Sequence, residues 1–169
     1  MRIDISPVLK NDGEQIDFDT QLDLSELEGA YGEKPLSEPV HVSGRVSGLY
    51  GAVRIAMEAS GKLHFLCDRC TKPYELDFCY PLDAMVTTDP AAEETDELIY
   101  AKDSRIDLSA QAGALIGLHM PFKHLCKEDC KGLCPICGAD RNVGECGCEP
   151  DRHDPRWDAL RELFDKHES

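Results

Sequence analysis

Between Val40 and Val86, apolar and polar residues alternate with a period of two, interrupted by short polar turns. Val40, Val42 and Val46 form one alternating run, and Val53, Ile55 and Met57 form another. Ser60-Gly61 is expected to turn the chain into Leu63 and Phe65. A second turn over Cys67–Pro73 leads into Tyr74, Leu76 and Phe78, and from there toward Val86. Turn-separated alternation of this kind predicts an antiparallel meander of about four strands. Upstream, residues 1–12 read as a strand running into a turn at Asn11-Asp12-Gly13. Leu22 to Leu27 has short helical character, with Ser25 as its cap, broken by Gly29, Gly32 and Pro35.

Downstream the period changes. Thr87–Thr95 is a polar, acidic linker, and Leu98-Ile99-Tyr100 is a short strand. Ile106-Asp107-Leu108-Ser109 then opens a helix of about residues 107–120, with Leu108, Ala112, Leu115, Ile116 and Met120 on one side. Asp107 or Ser109 caps it and Pro121 closes it. Asp154-Pro155 starts a last helix with proline at its first position, and Trp157, Leu160, Leu163 and Phe164 make a narrow apolar stripe suited to docking. There is no internal repeat. The expected class is α+β: an antiparallel meander or small barrel-like sheet with a helix, a C-terminal zinc-knuckle lobe and a terminal helix. The expected divisions are a sheet domain over 1–125, a metal lobe over 126–150 and a docking helix over 151–169.

The lobe is expected because six of the nine cysteines lie between Cys126 and Cys148. Cys134-Pro135-Ile136-Cys137-Gly138 has the form of a knuckle. Proline presets φ, glycine is free to turn, and the backbone amides of the turn face the two sulfurs. Eight residues later, Cys146-Gly147-Cys148 offers a second close pair. Cys134, Cys137, Cys146 and Cys148 are therefore the expected ligands of a structural zinc ion, with Cys126 or Cys130 as alternates. A second Cys-x-x-Cys pair, Cys67 and Cys70, stands at the predicted tip after Leu66, with Arg69 between them. It is a candidate second metal site, completed by Cys79, His64 or C-terminal cysteines that the main cage does not use. The same tip, with Arg69 flanked by thiols, is a candidate partner contact. Cys79, on an alternating strand, reads as a core residue.

Charge narrows the partners. The net charge is −15 over 169 residues. Residues 1–40 carry 3 positive and 10 negative side chains, and 81–110 carry 2 and 8; only 41–80, with 5 and 4, is near neutral. Such a surface repels phosphate backbones and attracts basic proteins. The first residues lack the apolar run of a signal peptide and no window approaches eighteen apolar residues, so a reducing cytoplasm is expected. There, clustered cysteines point to metal rather than disulfides. Phosphate loop, nucleophile elbow and His-Glu-x-x-His are all missing from the sequence, and the six histidines are scattered. A sulfur-only cage leaves no open position for water, so no enzymatic activity is expected.

Several of these stretches in order resemble the bacterial YceD family: Leu66-Cys67-Asp68-Arg69-Cys70, Ile106-Asp107-Leu108 before a helix ending in Pro121, Cys130-Lys131-Gly132-Leu133-Cys134-Pro135-Ile136-Cys137-Gly138, and Asp154-Pro155-Arg156-Trp157-Asp158-Ala159-Leu160. The resemblance runs from about residue 40 to the C-terminus. Arg141 stands where a small or aliphatic residue is expected before Asn142. The family is linked to accumulation of large-subunit ribosomal RNA, and its genes commonly adjoin one for a small large-subunit ribosomal protein. The resemblance implies a ribosome-assembly role, with no family active site to carry over. Two functional classes follow. One is an assembly factor that binds a basic ribosomal protein, large-subunit rRNA, or both. The other is a zinc-thiol redox-controlled binding protein or holdase.

Overall fold

A computed structural model describes residues 1–29, 32–92, 95 and 97–148. Its main sheet has five strands in the order β2–β3–β4–β5–β6: β2 Gln15–Leu22, β3 Val40–Leu49, β4 Ala52–Leu66, β5 Pro73–Thr87 and β6 Leu98–Tyr100. The first four strands pair antiparallel in sequence order, and β6 joins the edge of β5 in parallel. The expected meander is present, and it extends further than the sequence suggested. The terminal helix expected from Asp154 lies outside the described residues.

Two strand assignments change. The helix expected over Leu22–Leu27 does not form, leaving a turn at Ser25-Glu26 in which the Leu27 N–H donates to the Leu24 carbonyl at 2.9 Å, and the unassigned residues up to Leu22 form β2. Its Ile16, Phe18, Thr20 and Leu22 turn inward while Asp17 and Asp19 face out, the alternation of a half-buried strand. Pairing with β3 fixes it: Arg45 caps Asp17 and His41 reaches Asp19 across the ladder. The expected turn at Ser60-Gly61 does not occur, and β4 runs unbroken for fifteen residues. Val53, Ile55, Met57, Ala59, Leu63 and Phe65 are all buried and all odd-numbered, so the side-chain parity passes straight through Gly61. A Cβ at Gly61 would lie 3.1 Å from the ring of Phe78. Here glycine makes room for a neighbour and leaves the strand extended.

A second, two-stranded sheet pairs β1 Arg2–Asp4 with β7 Arg105–Asp107. The strand expected over residues 1–12 is thus short, and helix α1, Ser6–Lys10, follows it. From β7 the chain enters helix α2, Leu108–His119, as expected, with the Asp107 side chain accepting from the Ser109 N–H at 3.1 Å. Leu108, Ala112 and Ile116 are fully buried and join the same core as Ile5, Val40, Ile55 and Leu63. No helix among the described residues is long and apolar enough to cross a membrane.

The β4–β5 hairpin positions the site. Its strands pair from Val53↔Val86 to Leu66↔Pro73, and the chain reverses over residues 67–72. Within that turn the Cys67 N–H donates to the Lys72 carbonyl and the Thr71 N–H to the Cys67 carbonyl. After α2 the chain comes back to this tip, where His124 is clamped from both sides. The Asp68 N–H donates to the His124 carbonyl at 2.7 Å, and the His124 N–H donates to the Asp68 carboxylate at 2.7 Å.

Candidate metal centre

That clamp brings Cys126 and Cys130 to the hairpin tip. The Cys70 and Cys126 sulfurs are 3.7 Å apart, as are those of Cys67 and Cys130. All four sulfurs lie within 4.8 Å of one another. Cys134, Cys137, Cys146 and Cys148 form a second group with the same mutual reach. A metal–sulfur bond of about 2.3 Å in tetrahedral geometry gives a sulfur–sulfur edge of about 3.8 Å. A disulfide would need about 2.05 Å. The 3.7 Å contacts therefore match the edge of a four-thiolate metal cage, and both clusters could hold an ion.

The first cluster takes in the Cys67–Cys70 pair together with both expected alternates for the knuckle. Cys79 is not part of it. Cys79 is exposed on β5 with Glu58 beside it, so it is not the core residue its alternating strand suggested. Its parity explains this, because the neighbouring Phe78 is the inward residue. Cys67 and Cys70 are only 1% and 2% exposed. What the tip shows to solvent is Asp68, Arg69, Thr71 and Lys72, and the Arg69 guanidinium donates back to the Cys130 carbonyl at 2.8 Å.

The electrostatics explain why four thiols alone are a poor arrangement. Burial works against ionising Cys67, but backbone N–H groups of Cys126, Cys70 and Arg69 aimed at its sulfur hold it down at about 6. Cys126 is pushed up to about 12, by burial and then by Cys70, Cys67 and Cys130. The second cluster repeats the pattern. The N–H groups of Cys137 and Ile136, with the Cys146 thiol, bring Cys134 down to about 6. Cys137 and Cys146 push Cys148 up to about 12. Each cluster thus sets one thiol that ionises readily beside one held strongly protonated, and a bound cation would favour the thiolate form of both.

The clusters are joined by more than the three residues between Cys130 and Cys134. Gly132 sits at φ +70°, and a Cβ there would come within 2.9 Å of the Arg69 carbonyl, so the lobe crosses the hairpin tip at closest approach. The Leu133 N–H donates to that same carbonyl at 3.0 Å. The Asn142 side-chain amide, held by Asp140 at 2.7 Å, points its N–H at the Cys130 sulfur from 3.5 Å. Asp140 also pairs with Lys72 of the hairpin turn, and Lys72 together with the Asn142 N–H keeps its carboxyl down at about 2. Sequence reasoning did not single out Asn142 or Asp140 for these roles, since neither residue type carries a ligand signature at that spacing.

The order of these features has a counterpart among known proteins. The family described as "Large ribosomal RNA subunit accumulation protein YceD" matches residues 55–164. The chain belongs to the YceD family. Within that match lie β4 from Ile55 onward, β5, α2 and both cysteine clusters, the shared YceD portion of the molecule. An uncharacterized protein of Mycobacterium tuberculosis is 39% identical over 107 residues, covering 58% of this chain and 49% of its own. One of Mycobacterium leprae is 36% identical over 87 residues, covering 52% and 38%. A relative from Zea mays, described as a chloroplastic YCED homolog and large ribosomal RNA subunit accumulation protein, is 26% identical over 144 residues, covering 66% and 49%. The chain thus spans about half the length of the curated relatives it matches, or less. No solved structure matches it.

Proposed function

We propose that this protein is a non-enzymatic, cytoplasmic ribosome-assembly factor that supports accumulation of large-subunit rRNA, with one structural zinc ion in each tetracysteine cluster. Membership of a family described by rRNA accumulation supports the role. The geometry that carries the metal reading is the pair of four-sulfur groups, each with its sulfurs within 4.8 Å of one another and the first with two edges of 3.7 Å. With four protein ligands each, such ions shape the lobe and offer no position to a substrate.

The direct client is a basic large-subunit ribosomal protein first and rRNA second. The net charge of −15 favours encounter with a basic protein and opposes a phosphate backbone. The near-neutral 41–80 region looked like the one surface that could tolerate RNA. Its cations are engaged: Arg45 with Asp17, Arg54 with Asp83, Lys62 with Glu75 and Lys72 with Asp140, while Arg69 bonds to the Cys130 carbonyl. Cations committed to carboxylates release few counterions from RNA. Titration against large-subunit rRNA fragments and against basic large-subunit ribosomal proteins, at low and physiological salt, tests the order. The proteins should bind, more tightly at low salt. Tight binding of rRNA alone at physiological salt, with indifference to those proteins, would overturn this reading.

A further inference from the structure

The five-stranded sheet has two long edges, and only one of them is blunted. The edge along β5 carries Pro73 and Pro81, and the short strand β6 pairs with its far end over Met85–Thr87. Prolines and short outer strands are common protections against pairing with another chain. β2 forms the opposite edge and has neither a proline nor a lysine. Its eight residues step one for one against β3, from Gln15↔Ser47 to Leu22↔Val40, so no bulge interrupts them. Among the described residues, none outside β3 hydrogen-bonds to the β2 backbone.

The ladder fixes which groups are left open. The Gly48 N–H donates to the Glu14 carbonyl at 3.1 Å. Backbone groups alternate sides along a strand, so those of Ile16, Phe18, Thr20 and Leu22 face β3. The N–H and C=O groups of Gln15, Asp17, Asp19 and Gln21 point to the open edge. Side chains divide in the same way. Phe18 and Leu22 are buried and Ile16 packs on the same core, while the four residues with open backbone groups are exposed.

Charge selects the chain that can pair there. Residues 11–29 carry seven carboxylates and no lysine or arginine. Cations from outside the stretch reach two of them, Arg45 pairing with Asp17 and Lys34 with Glu26. Asp12, Glu14, Asp19 and Asp23 stand before, within and just after β2. They have no lysine or arginine partner among the described residues, and Asp19 meets only His41.

We propose that the open edge of β2 takes up an extended segment of the basic protein client as an added strand, an inference that rests on the client reading above. The segment alternates lysine or arginine with apolar residues. Its cations lie beside Asp19 and the flanking carboxylates, and its apolar side chains lie beside Ile16 and Phe18. A second copy of this chain fits poorly. Pairing β2 antiparallel with itself about Phe18 sets Asp17 against Asp19 twice, and like charges directly opposite are destabilising. A nucleic-acid backbone brings phosphates to the same carboxylates.

The test uses the full chain with its metal and a nonapeptide in which lysine alternates with valine. At saturation, amide exchange at Gln15, Asp17, Asp19 and Gln21 should slow about tenfold or more. Exchange at Ile16, Phe18, Thr20 and Leu22, already bonded to β3, should change less than about twofold. Methylating the backbone nitrogens of all the lysines, or instead of all the valines, blocks one edge of the peptide or the other. One of these should abolish binding and the other keep it within about threefold. Gln21→Pro removes an open donor without costing a ladder bond, and should weaken binding about tenfold, whereas Gln21→Ala should not. The exchange pattern and the methylated peptides use the unaltered protein, so neither depends on the folding of a variant. Peptide binding without the alternating protection, or binding that survives both methylations, would end the edge assignment and leave the client reading standing. The same protection appearing with protein concentration alone would make the occupant a second copy and overturn the proposal. Binding of rRNA with no binding of any basic peptide or protein would remove both readings.

Discussion

Cys134, Cys137, Cys146 and Cys148 lie within one stretch of fifteen residues, and their cluster is half open to solvent. Cys67, Cys70, Cys126 and Cys130 come from two segments 56 to 63 residues apart, and three of them are buried. The first of these arrangements can close with little help from the rest of the chain. The other exists only when the β4–β5 hairpin and the segment after α2 are both in place. A metal in the local cluster orders a knuckle, whereas a metal in the long-range cluster joins two parts of the fold and removes conformational freedom from the unfolded chain.

The widest separation between the two should appear in stability. Cys70→Ser should lower the melting temperature of the metal-loaded protein by about 10 °C, because it opens a cross-link spanning more than fifty residues, while Cys137→Ser should change it by about 2 °C. Unaltered protein should carry about two zinc ions per chain by metal analysis, and each variant about one. Equal melting shifts for the two would mean that both clusters are local in their energetics.

A second experiment asks whether the clusters are energetically separate. Asn142 belongs to the knuckle lobe by sequence, yet its amide N–H points at the Cys130 sulfur of the other cluster. Outer hydrogen bonds of this kind steady a metal site, and losing one weakens metal affinity about tenfold. Asn142→Ala should therefore speed chelator capture of the first metal rather than the second, with cadmium-substituted protein distinguishing the sites. The reverse order of release would show that the bond does not couple them.

The smallest effect is expected from pH, read in metal-free protein under reducing conditions. Cys67 and Cys134 are held at about 6, against an ordinary thiol value of 9.0, so their contribution to stability is complete above 9 and is lost as pH falls through 6. Cys126 and Cys148, at about 12, act oppositely: theirs is complete below 9 and lost as pH rises toward 12. Stability of the metal-free chain should thus be greatest near pH 9 with respect to these thiols and decline on both sides. Serine at all four of these positions should flatten that profile, and a curve unchanged by those substitutions would assign it to other groups.

The two clusters were also unequally legible. A knuckle with its proline and glycine, followed by a close pair, writes one cage into a short span of sequence. The other cage has its ligands in two stretches that only strand pairing brings together. Cys126 and Cys130 are four apart, which is not knuckle spacing, and Cys67 and Cys70 had no partner nearby. One signal was available: once the knuckle cage takes four cysteines, two pairs remain, and pairing them with each other is the economical solution. In the sheet, alternation located β3, β4 and β5. It was also present in Ile16, Phe18, Thr20 and Leu22, a stretch left unassigned because charged and polar residues alternate with only three large apolar ones. Ser60-Gly61 has turn composition, and only the unbroken odd-numbered parity argues for a continuous strand.

The distance along the chain between Cys70 and Cys126 also sets a sequence of events during synthesis. The hairpin tip is made first, and its two thiols have no partners until the segment after α2 follows. At about 5–20 residues per second, the 56 residues between them take about 3–11 s to appear. Throughout that interval Cys67 and Cys70 form a nascent two-thiol site, open to solvent oxidants and to whatever delivers the metal.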